Sequence, residues 1–347
     1  MKIAIDSSGK GFSKSWVTYC ENTGLPYKLV NFRSSDIIEQ LKECDLVMWH
    51  FHQGSPIDNL FAKQLLYSLQ LSGKKVFPDF NTVWHFNDKL GQKYLFEALG
   101  VPMPETFVFY KKKEAIEWAR TAVFPKVFKL RGGASSQNVY LIKGYAQAVR
   151  YIRRSFGRGF ANYNAFRSIS ERWRKFRMGT SNLRDVIEGV IRIFYPPEYS
   201  RIMGRERGYI MFQEYIPNRD HDIRIIVIGN RALAIKRMVR ENDFRASGSG
   251  ILQYDKKLFS KELISLAFDI ASRIKAQSVA MDFLYNHEQP LLVEISYGFP
   301  TSNFTDGCEG YFDRDLNWID LKLEPYKWMI ESLIGNDPHV MHGNLYQ

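Results

Sequence analysis

The sequence predicts an α/β protein whose first domain is built on a parallel sheet, and three observations support this fold class. Short apolar runs alternate with helical patterns through residues 1–78, which is the pattern of parallel α/β units. A hydrophobic content of 45% with 24% charged residues is typical of a folded globular chain. Polar, Gly-rich loops separate a second series of short strands after residue 105, so the 347 residues are expected to form more than one domain.

Residues 1–78 are predicted to form an N-terminal α/β domain. Its strands are expected at 2–6, 26–31, 45–50 and 75–78, and its helices at 14–23, 35–44 and 57–72. No G-x-G-x-x-G follows the first strand and residues 7–11 do not match the Walker A pattern, so both common nucleotide fingerprints are absent. His50 and His52 follow the third strand two residues apart and share a face, so they are the histidines that we expect to contact a substrate; a purely structural role for them stays open.

Residues 79–104 are predicted to form a linker with a helix at 89–99, which Asn87 and Asp88 cap and Gly100 ends. A small subdomain is expected at 105–212, with strands at 106–110, 126–130, 139–142 and 208–215 and a helix at 112–122. A basic helical insertion at about 145–207 interrupts it. Residues 213–347 are expected to form a C-terminal subdomain with strands at 222–228 and 231–239, a hairpin and an aromatic tail.

The net charge of +11 is concentrated in one segment. Residues 150–207 contain 14 Lys and Arg against five acids, a local excess of +9. Such a segment attracts anions, for example an anionic glycan, a nucleotide-sugar or a lipid-linked precursor, although a solvated helical face would have the same composition. DNA is not expected as a partner. The three scattered cysteines fit neither a disulfide framework nor a zinc pattern, and no apolar run reaches the length of a spanning helix. We expect a cytoplasmic location, with peripheral attachment to the inner face of the membrane as an alternative.

Two carboxylates near the C-terminus predict a magnesium site. Apolar runs at 279–285 and 291–295, joined by a polar turn that ends in Pro290, predict a β-hairpin. Asp282 and Glu294 could then lie across from each other, and Ser296 shares the face of Glu294. Magnesium prefers hard oxygen ligands and often takes one or two carboxylates together with substrate phosphates. A pair of solvated acids on an exposed sheet face is the alternative.

Cationic residues, strand ends and carboxylates follow one another in a recognisable order along residues 78–300. They are, in chain order, Lys89, Lys129 before a Gly/Ser loop, residues 213–216, residues 222–224, Lys236 with Arg237, and Asp282 with Glu294. In this order the chain resembles the ATP-grasp superfamily, in particular its carboxylate–amine ligase branch, which includes ribosomal-protein glutamate ligases, D-alanine–D-alanine ligases and glutathione synthetases. The resemblance implies two subdomains of the α+β type with ATP bound between them and Mg²⁺ beside its phosphates.

The resemblance also implies a role for each matching position. The residues that would bind ATP are Lys89, Lys129, Gly132, Gly133, Ser135, Ser136, Gln213, Glu214, Tyr215, Ile216, Asp222 and Lys236. The residues that would assist phosphoryl transfer are Arg237, Arg245 and Ser247. The metal ligands would be Asp282, Glu294 and Ser296, where the family usually has Asn in place of Ser296, so the number of magnesium ions is in question.

Three choices among these residues stay open at the sequence level. Lys126 competes with Lys129 for the phosphate-binding role. Arg224 lies on the same strand face as Asp222 and could be its salt-bridge partner instead of a site residue. Lys236 and Arg237 alternate faces, so one of them is expected to point into the site, and the resemblance favours Arg237.

The function that the resemblance implies is ATP-dependent amide formation between a small-molecule carboxylate and an amine, through an acylphosphate, with release of ADP and phosphate. The segments 310–318 and 326–329 are similar to the endings of ATP-grasp proteins found with bacterial surface-polysaccharide genes. We therefore hypothesise a uronic-acid-containing glycan or precursor as the carboxylate. The alternatives are a peptide or protein amino-acid ligase, an ATP-grasp kinase and a noncatalytic ATP-binding protein with an anionic partner.

Overall fold

A computed structural model describes residues 1–133, 138–161, 169, 172–173, 176–177, 182–195, 198–217, 220–239, 250–300 and 308–335. Its N-terminal domain contains β1 (Ile3–Asp6), α1 (Ser13–Thr23), β2 (Tyr27–Val30), α2 (Ile37–Gln40), β3 (Leu46–Met48), α3 (Pro56–Leu71) and β4 (Lys75–Phe77). The strands pair in parallel in the order β2-β1-β3-β4, as the alternating pattern predicts. The carboxyl ends of β1 and β3 therefore lie side by side at one edge of the sheet.

The second helix is shorter than the sequence predicts. A helix was expected over 35–44, but α2 covers a single turn. After Gln40 the N–H groups of Lys42 and Cys44 bond to the carbonyls of Glu39 and Leu41. These three-residue spacings are those of tight turns, and they replace the four-residue spacing of an α-helix.

The linker is packed against the C-terminal subdomain. It contains α4 (Phe80–Val83) and α5 (Lys89–Ala98), and Asp88 caps α5 by accepting from the Gly91 N–H at 2.9 Å, as predicted. The side chain of Gln92 donates to the Ile295 carbonyl at 2.8 Å and accepts from the Ile295 N–H at 3.2 Å. These bonds fix the start of α5, where Lys89 lies, against the strand that carries Glu294.

The small subdomain is a four-stranded antiparallel sheet covered by helices. Its elements are β5 (Thr106–Phe109), α6 (Lys112–Thr121), β6 (Lys126–Lys129), β7 (Val139–Ile142), α7 (Tyr145–Ser155) and, later in the chain, β10 (Ile210–Glu214). The strand order is β5-β10-β6-β7. Ala148 and Ile152 of α7 pack into the core of this subdomain, so the first part of the basic segment is a structural helix of the sheet.

The rest of the basic segment lies between α7 and β10. Its described elements are β8 (Phe160–Ala161), α8 (Leu183–Phe194), α9 (Glu198–Met203) and β9 (Arg205–Glu206). The strands β8 and β9 pair with each other and close the segment at its base. The side chain of Arg205 donates to the carbonyls of Arg158 (2.6 Å) and Gly159 (2.9 Å), which adds to this closure.

The C-terminal subdomain is a seven-stranded antiparallel sheet. It contains β11 (His221–Ile228), β12 (Arg231–Met238), β13 (Leu252–Gln253), α10 (Lys261–Ile274), β14 (Ser278–Asn286), β15 (Gln289–Ser296), β16 (Tyr311–Phe312), β17 (Trp318–Ile319) and α11 (Pro325–Ile334). Side chains alternate between its faces: Ile225 and Val227 pack with α10, whereas Ile226 and Ile228 join the core of the N-terminal domain. Both faces are therefore buried, which explains why these strands are almost continuously apolar.

In the part of the chain that the structure describes, every helix is too short or too polar to span a bilayer.

Candidate active site

A cleft of about 530 Å³ lies between the small subdomain and the C-terminal sheet, and the linker closes one end. Among the described residues that the resemblance assigns to ATP, catalysis or metal, all but Lys236 line this cleft. They come from α5, from the carboxyl ends of β6 and β10 and the residues that follow them, and from the strands β11, β12, β14 and β15. Arg237 lines the cleft and Lys236 does not, so the alternation along β12 separates the two as expected. Ser135, Ser136, Arg245 and Ser247 lie outside the described residues.

The two predicted metal-binding carboxylates lie directly opposite each other. Asp282 on β14 pairs in register with Glu294 on β15, as the hairpin prediction required. The turn is shorter than expected, because β14 and β15 extend to Asn286 and Gln289 and leave two residues between them. The Ser296 hydroxyl lines the same end of the cleft and donates to the Gly298 carbonyl at 2.7 Å.

Arginine side chains hold Asp282 and Asp222 in one ionic network. Arg224 donates to both oxygens of Asp282 at 2.7 and 2.8 Å, and Arg237 lies 3.0 Å from the same carboxylate. Arg237 Nε also donates to Asp222 Oδ1 at 2.7 Å. The suggested Arg224–Asp222 salt bridge is thus wrong, because the strand register places Asp222 opposite Arg237 and Arg224 opposite Asp282.

Asp282 and Asp222 share Arg237, but their pKa values shift in opposite directions. Burial would raise the pKa of Asp282, but Arg224 and Arg237 outweigh it and hold that pKa below its ordinary value. Asp222 is also buried, and it has Arg237 as its bonded partner and the negative Asp282 nearby. Burial, reinforced by Asp282, raises the pKa of Asp222 to about 6. Asp282 therefore keeps its negative charge over the physiological range, as a metal ligand must.

Lys129, and not its competitor Lys126, faces the cleft. Lys126 is buried and bonded to Glu214 at the strand end, which leaves Lys129 among the lining residues. Burial lowers the pKa of the Lys129 ammonium to about 8, and the positive Lys89 adds to this effect, whereas Glu294 and Asp282 oppose it. The side chain is therefore a cation near neutral pH that lies close to the carboxylates.

The loop after β6 is tied to the linker at the glycines that are expected to approach phosphate. Lys89 Nζ donates to the Gly133 carbonyl at 2.7 Å and lies 3.0 Å from Glu294 Oε1. The Gly133 N–H donates to Asn87 Oδ1 at 2.9 Å. Gly133 has φ +111°, and a Cβ there would lie 2.8 Å from Asn138 Nδ2, so only glycine fits. Asn87 is a site residue that the sequence reasoning used only as a helix cap.

The loop that follows β3 brings one residue of the N-terminal domain to the cleft. Gln53 lines the cleft, but His50 and His52 do not. His50 stacks on Phe12 with ring centroids 3.7 Å apart and accepts from the Phe12 N–H at 3.0 Å, and burial lowers its pKa to about 3. These contacts hold the His50 ring against Phe12, and Gln53 is the residue of this loop that lines the cleft. The only sequence signal for Gln53 was its place next to His52.

Two comparisons of the sequence with known proteins found similar proteins. Residues 193–309 match the family described as RimK-like ATP-grasp domain. The alpha-aminoadipate–LysW ligase LysX of Saccharolobus solfataricus is 24% identical over 229 residues, which are 66% of this chain and 67% of that protein.

Solved structures show the same fold at low identity. A RimK domain ATP-grasp protein from Sphaerobacter thermophilus superposes with a TM-score of 0.54 at 14% identity, over 96% of this chain and 99% of that one. D-alanine–D-alanine ligase from Bacillus anthracis, solved in complex with ATP, has a TM-score of 0.51 at 12% identity, over 87% of this chain and 88% of that one.

The family match covers residues 193–309, less than half of the chain, and describes that part as similar to a RimK-like ATP-grasp domain. The predicted α/β fold class is confirmed, and the chain shares its fold with the RimK domain ATP-grasp protein.

The donors at the metal end suit Mg²⁺ held together with a nucleotide. Within the described ranges, no three His, Cys, Asp or Glu side chains come together as a metal cage. Asp282 and Glu294 instead offer two adjacent carboxylates, with the Ser296 hydroxyl beside them. Magnesium commonly combines one or two carboxylates with substrate phosphates, so this donor set fits a Mg²⁺–nucleotide complex.

Proposed function

We propose that this protein is an ATP-dependent carboxylate–amine ligase that forms an amide through an acylphosphate. The observation that carries the proposal is that one cleft collects Lys89, Lys129 and Arg237 around Asp282 and Glu294. Cations that neutralise phosphates, beside carboxylates that hold a divalent cation, are what phosphoryl transfer requires from a protein. ATP is a substrate in this reaction, and Mg²⁺ held by Asp282 and Glu294 would neutralise charge on its phosphates.

The reaction proceeds in two balanced steps. A carboxylate oxygen of the first substrate attacks the γ-phosphorus, the bond to the ADP oxygen breaks, and an acylphosphate forms. The neutral amine nitrogen of the second substrate then attacks the acyl carbon, the bond between that carbon and the phosphate oxygen breaks, and the proton lost by the nitrogen leaves with the phosphate as the amide forms. Lys89 and Lys129 would hold the phosphates as point charges, and Arg237, with Arg245 and Ser247, would stabilise the group in transfer.

The other end of the cleft is proposed to hold the nucleoside. The strand end at Gln213, Glu214, Tyr215 and Ile216 lines the cleft and would meet the adenine edge. Asp222 would accept from the ribose hydroxyls, and its bond to Arg237 orients the carboxylate for that contact.

The substrate classes are proposed from the names of similar proteins and from the charge of residues 150–207. The names of LysX and of D-alanine–D-alanine ligase both include an amino acid, so we propose an amino acid as the amine donor. The excess of +9 at residues 150–207 favours an anionic acceptor, for which a uronic-acid glycan or its nucleotide- or lipid-linked precursor is our first candidate. The carboxyl end of a peptide or protein is the second candidate.

The experiment is a screen for ADP release with ATP, Mg²⁺, each amino acid, and either uronic acids or peptides, followed by mass analysis of the product. A ligase gives a product equal to the two substrates minus water. A kinase would leave phosphate on a product without needing an amine. Nucleotide binding without ADP release for every pair would refute the proposal in favour of a noncatalytic binding protein.

A pair of isosteric variants tests the site itself. Asp282→Asn with Glu294→Gln should reduce ADP release by about a hundredfold or more, because the metal-binding charge is lost. Glu262→Gln with Asp269→Asn removes two carboxylates from α10, outside the cleft, and should leave the rate unchanged. Equal rates in both double variants would exclude Asp282 and Glu294 from the reaction.

A further inference from the structure

The helix α8 presents a continuous apolar stripe to solvent. Leu183, Ile187, Val190 and Ile191 are 52%, 53%, 45% and 51% exposed. Their spacing of four, three and one residues places them on one face of the helix. Asp185 and Arg192 lie on the opposite face, and Arg184 and Glu188 flank the stripe. Exposed aliphatic side chains aligned in this way mark a surface that binds another apolar surface.

The other side of α8 is anchored to the protein, so the stripe is held in place. Arg172 Nη1 donates to the Asp185 carbonyl at 2.6 Å, and its guanidinium lies 3.6 Å from Glu188. Val186 is 8% exposed. Asn182 caps the helix by accepting from the Asp185 N–H at 3.0 Å, in a reciprocal capping box. Among the described residues, none of these contacts involves the four aliphatic side chains of the stripe.

The net charge of residues 150–207 indicates which kind of partner the stripe on α8 binds. Residues 150–207 carry an excess of +9. Two copies of this segment would repel each other, which disfavours a dimer through α8. A nucleic acid would satisfy the charge but would leave the aliphatic stripe in water. An anionic bilayer satisfies both, since its headgroups attract Arg and Lys and the boundary beneath them accepts aliphatic side chains.

We propose that α8 lies on an anionic membrane surface, with Leu183, Ile187, Val190 and Ile191 in the headgroup–acyl boundary. The same segment is joined directly to the phosphate loop: Glu206 of β9 accepts from the N–H groups of Arg131 and Gly132 at 2.9 and 3.2 Å. The segment that carries α8 therefore contacts this loop near its C-terminal end, at Glu206. The proposal does not depend on the ligase reaction.

The test is cosedimentation of the full chain with vesicles of phosphatidylcholine alone or mixed with phosphatidylglycerol. We expect at least about tenfold tighter binding to the mixed vesicles, and a loss of affinity as salt rises. Ile187→Glu with Ile191→Glu should weaken that binding by about tenfold or more, because two charges would have to enter the boundary. The substituted side chains are half exposed, so the thermal unfolding curve should not move.

Ile38→Glu is the matched control, since Ile38 is 52% exposed and lies on α2 of the N-terminal domain. It should bind the mixed vesicles as the unsubstituted protein does. Failure of the unsubstituted protein to bind mixed vesicles overturns the proposal, as does equal binding by the Ile187→Glu, Ile191→Glu protein. Binding to heparin or single-stranded RNA but not to vesicles would show a polyanion site instead. A dimer that the double substitution dissociates, without vesicle binding, would show self-association.

Discussion

The buried ammonium of Lys129 makes nucleotide affinity depend on pH in a defined direction. Burial lowers its pKa from the ordinary 10.5 to about 8. The charged form is about 90% populated at pH 7 and only about 10% at pH 9. If Lys129 binds phosphate as a cation, nucleotide affinity is nearly full at about pH 7 and falls as pH rises through about 8. The expected loss between about pH 7 and about pH 9 is therefore roughly tenfold.

The assay is the Kd of a fluorescent ADP analogue at fixed Mg²⁺ across this pH range, which avoids any titration of the amine substrate. Lys129→Arg keeps its charge throughout, so its Kd should be flat up to about pH 9. The Kd of Lys129→Met should also be independent of pH, and its binding should be weaker.

Lys63 is the matched control: burial also lowers its pKa to about 8, but it lies outside the cleft, where it donates to the Trp84 and Phe86 carbonyls. A pH dependence that disappears in Lys63→Arg and persists in Lys129→Arg would refute the reasoning.

Three further substitutions test the site and the core. Ser296→Asn supplies a carbonyl oxygen of longer reach, so the affinity of the ADP complex for Mn²⁺ should rise by up to about tenfold. Electron paramagnetic resonance during a Mn²⁺ titration measures this affinity. Unchanged Mn²⁺ binding would show that residue 296 is not a metal ligand. Arg224→Met removes a bidentate partner from the partly buried Asp282, which keeps Arg237, and should lower the free energy of unfolding in urea by about 1–3 kcal/mol. Ile225→Ala empties a fully buried position and should cost about 2–5 kcal/mol in the same assay, with nucleotide affinity retained.

The hairpin of Asp282 and Glu294 could be predicted because two local rules determine it. Alternation decides which side chains share a face, and a short turn between two apolar runs decides which residues lie opposite. The pairing of Asp222 could not be predicted in this way. Asp222 and Arg224 are two residues apart on one strand, yet each takes its ionic partner from a neighbouring strand, Arg237 and Asp282 respectively. Cross-strand register decides such pairs, and it depends on contacts that are distant in sequence.

The linker was predicted correctly as a capped helix, but its part in the site followed only from tertiary packing. Gln92 bonds to the backbone of Ile295, which places Lys89 beside Glu294 and the Gly133 carbonyl. Lys89 therefore connects the loop after β6 to the carboxylates of the cleft. A nucleotide phosphate that binds Lys89 would draw it away from Glu294 and leave that carboxylate available to a divalent cation. A cation bound at Glu294 would likewise leave Lys89 available to the phosphate. Nucleotide and metal should therefore each raise the affinity of the cleft for the other.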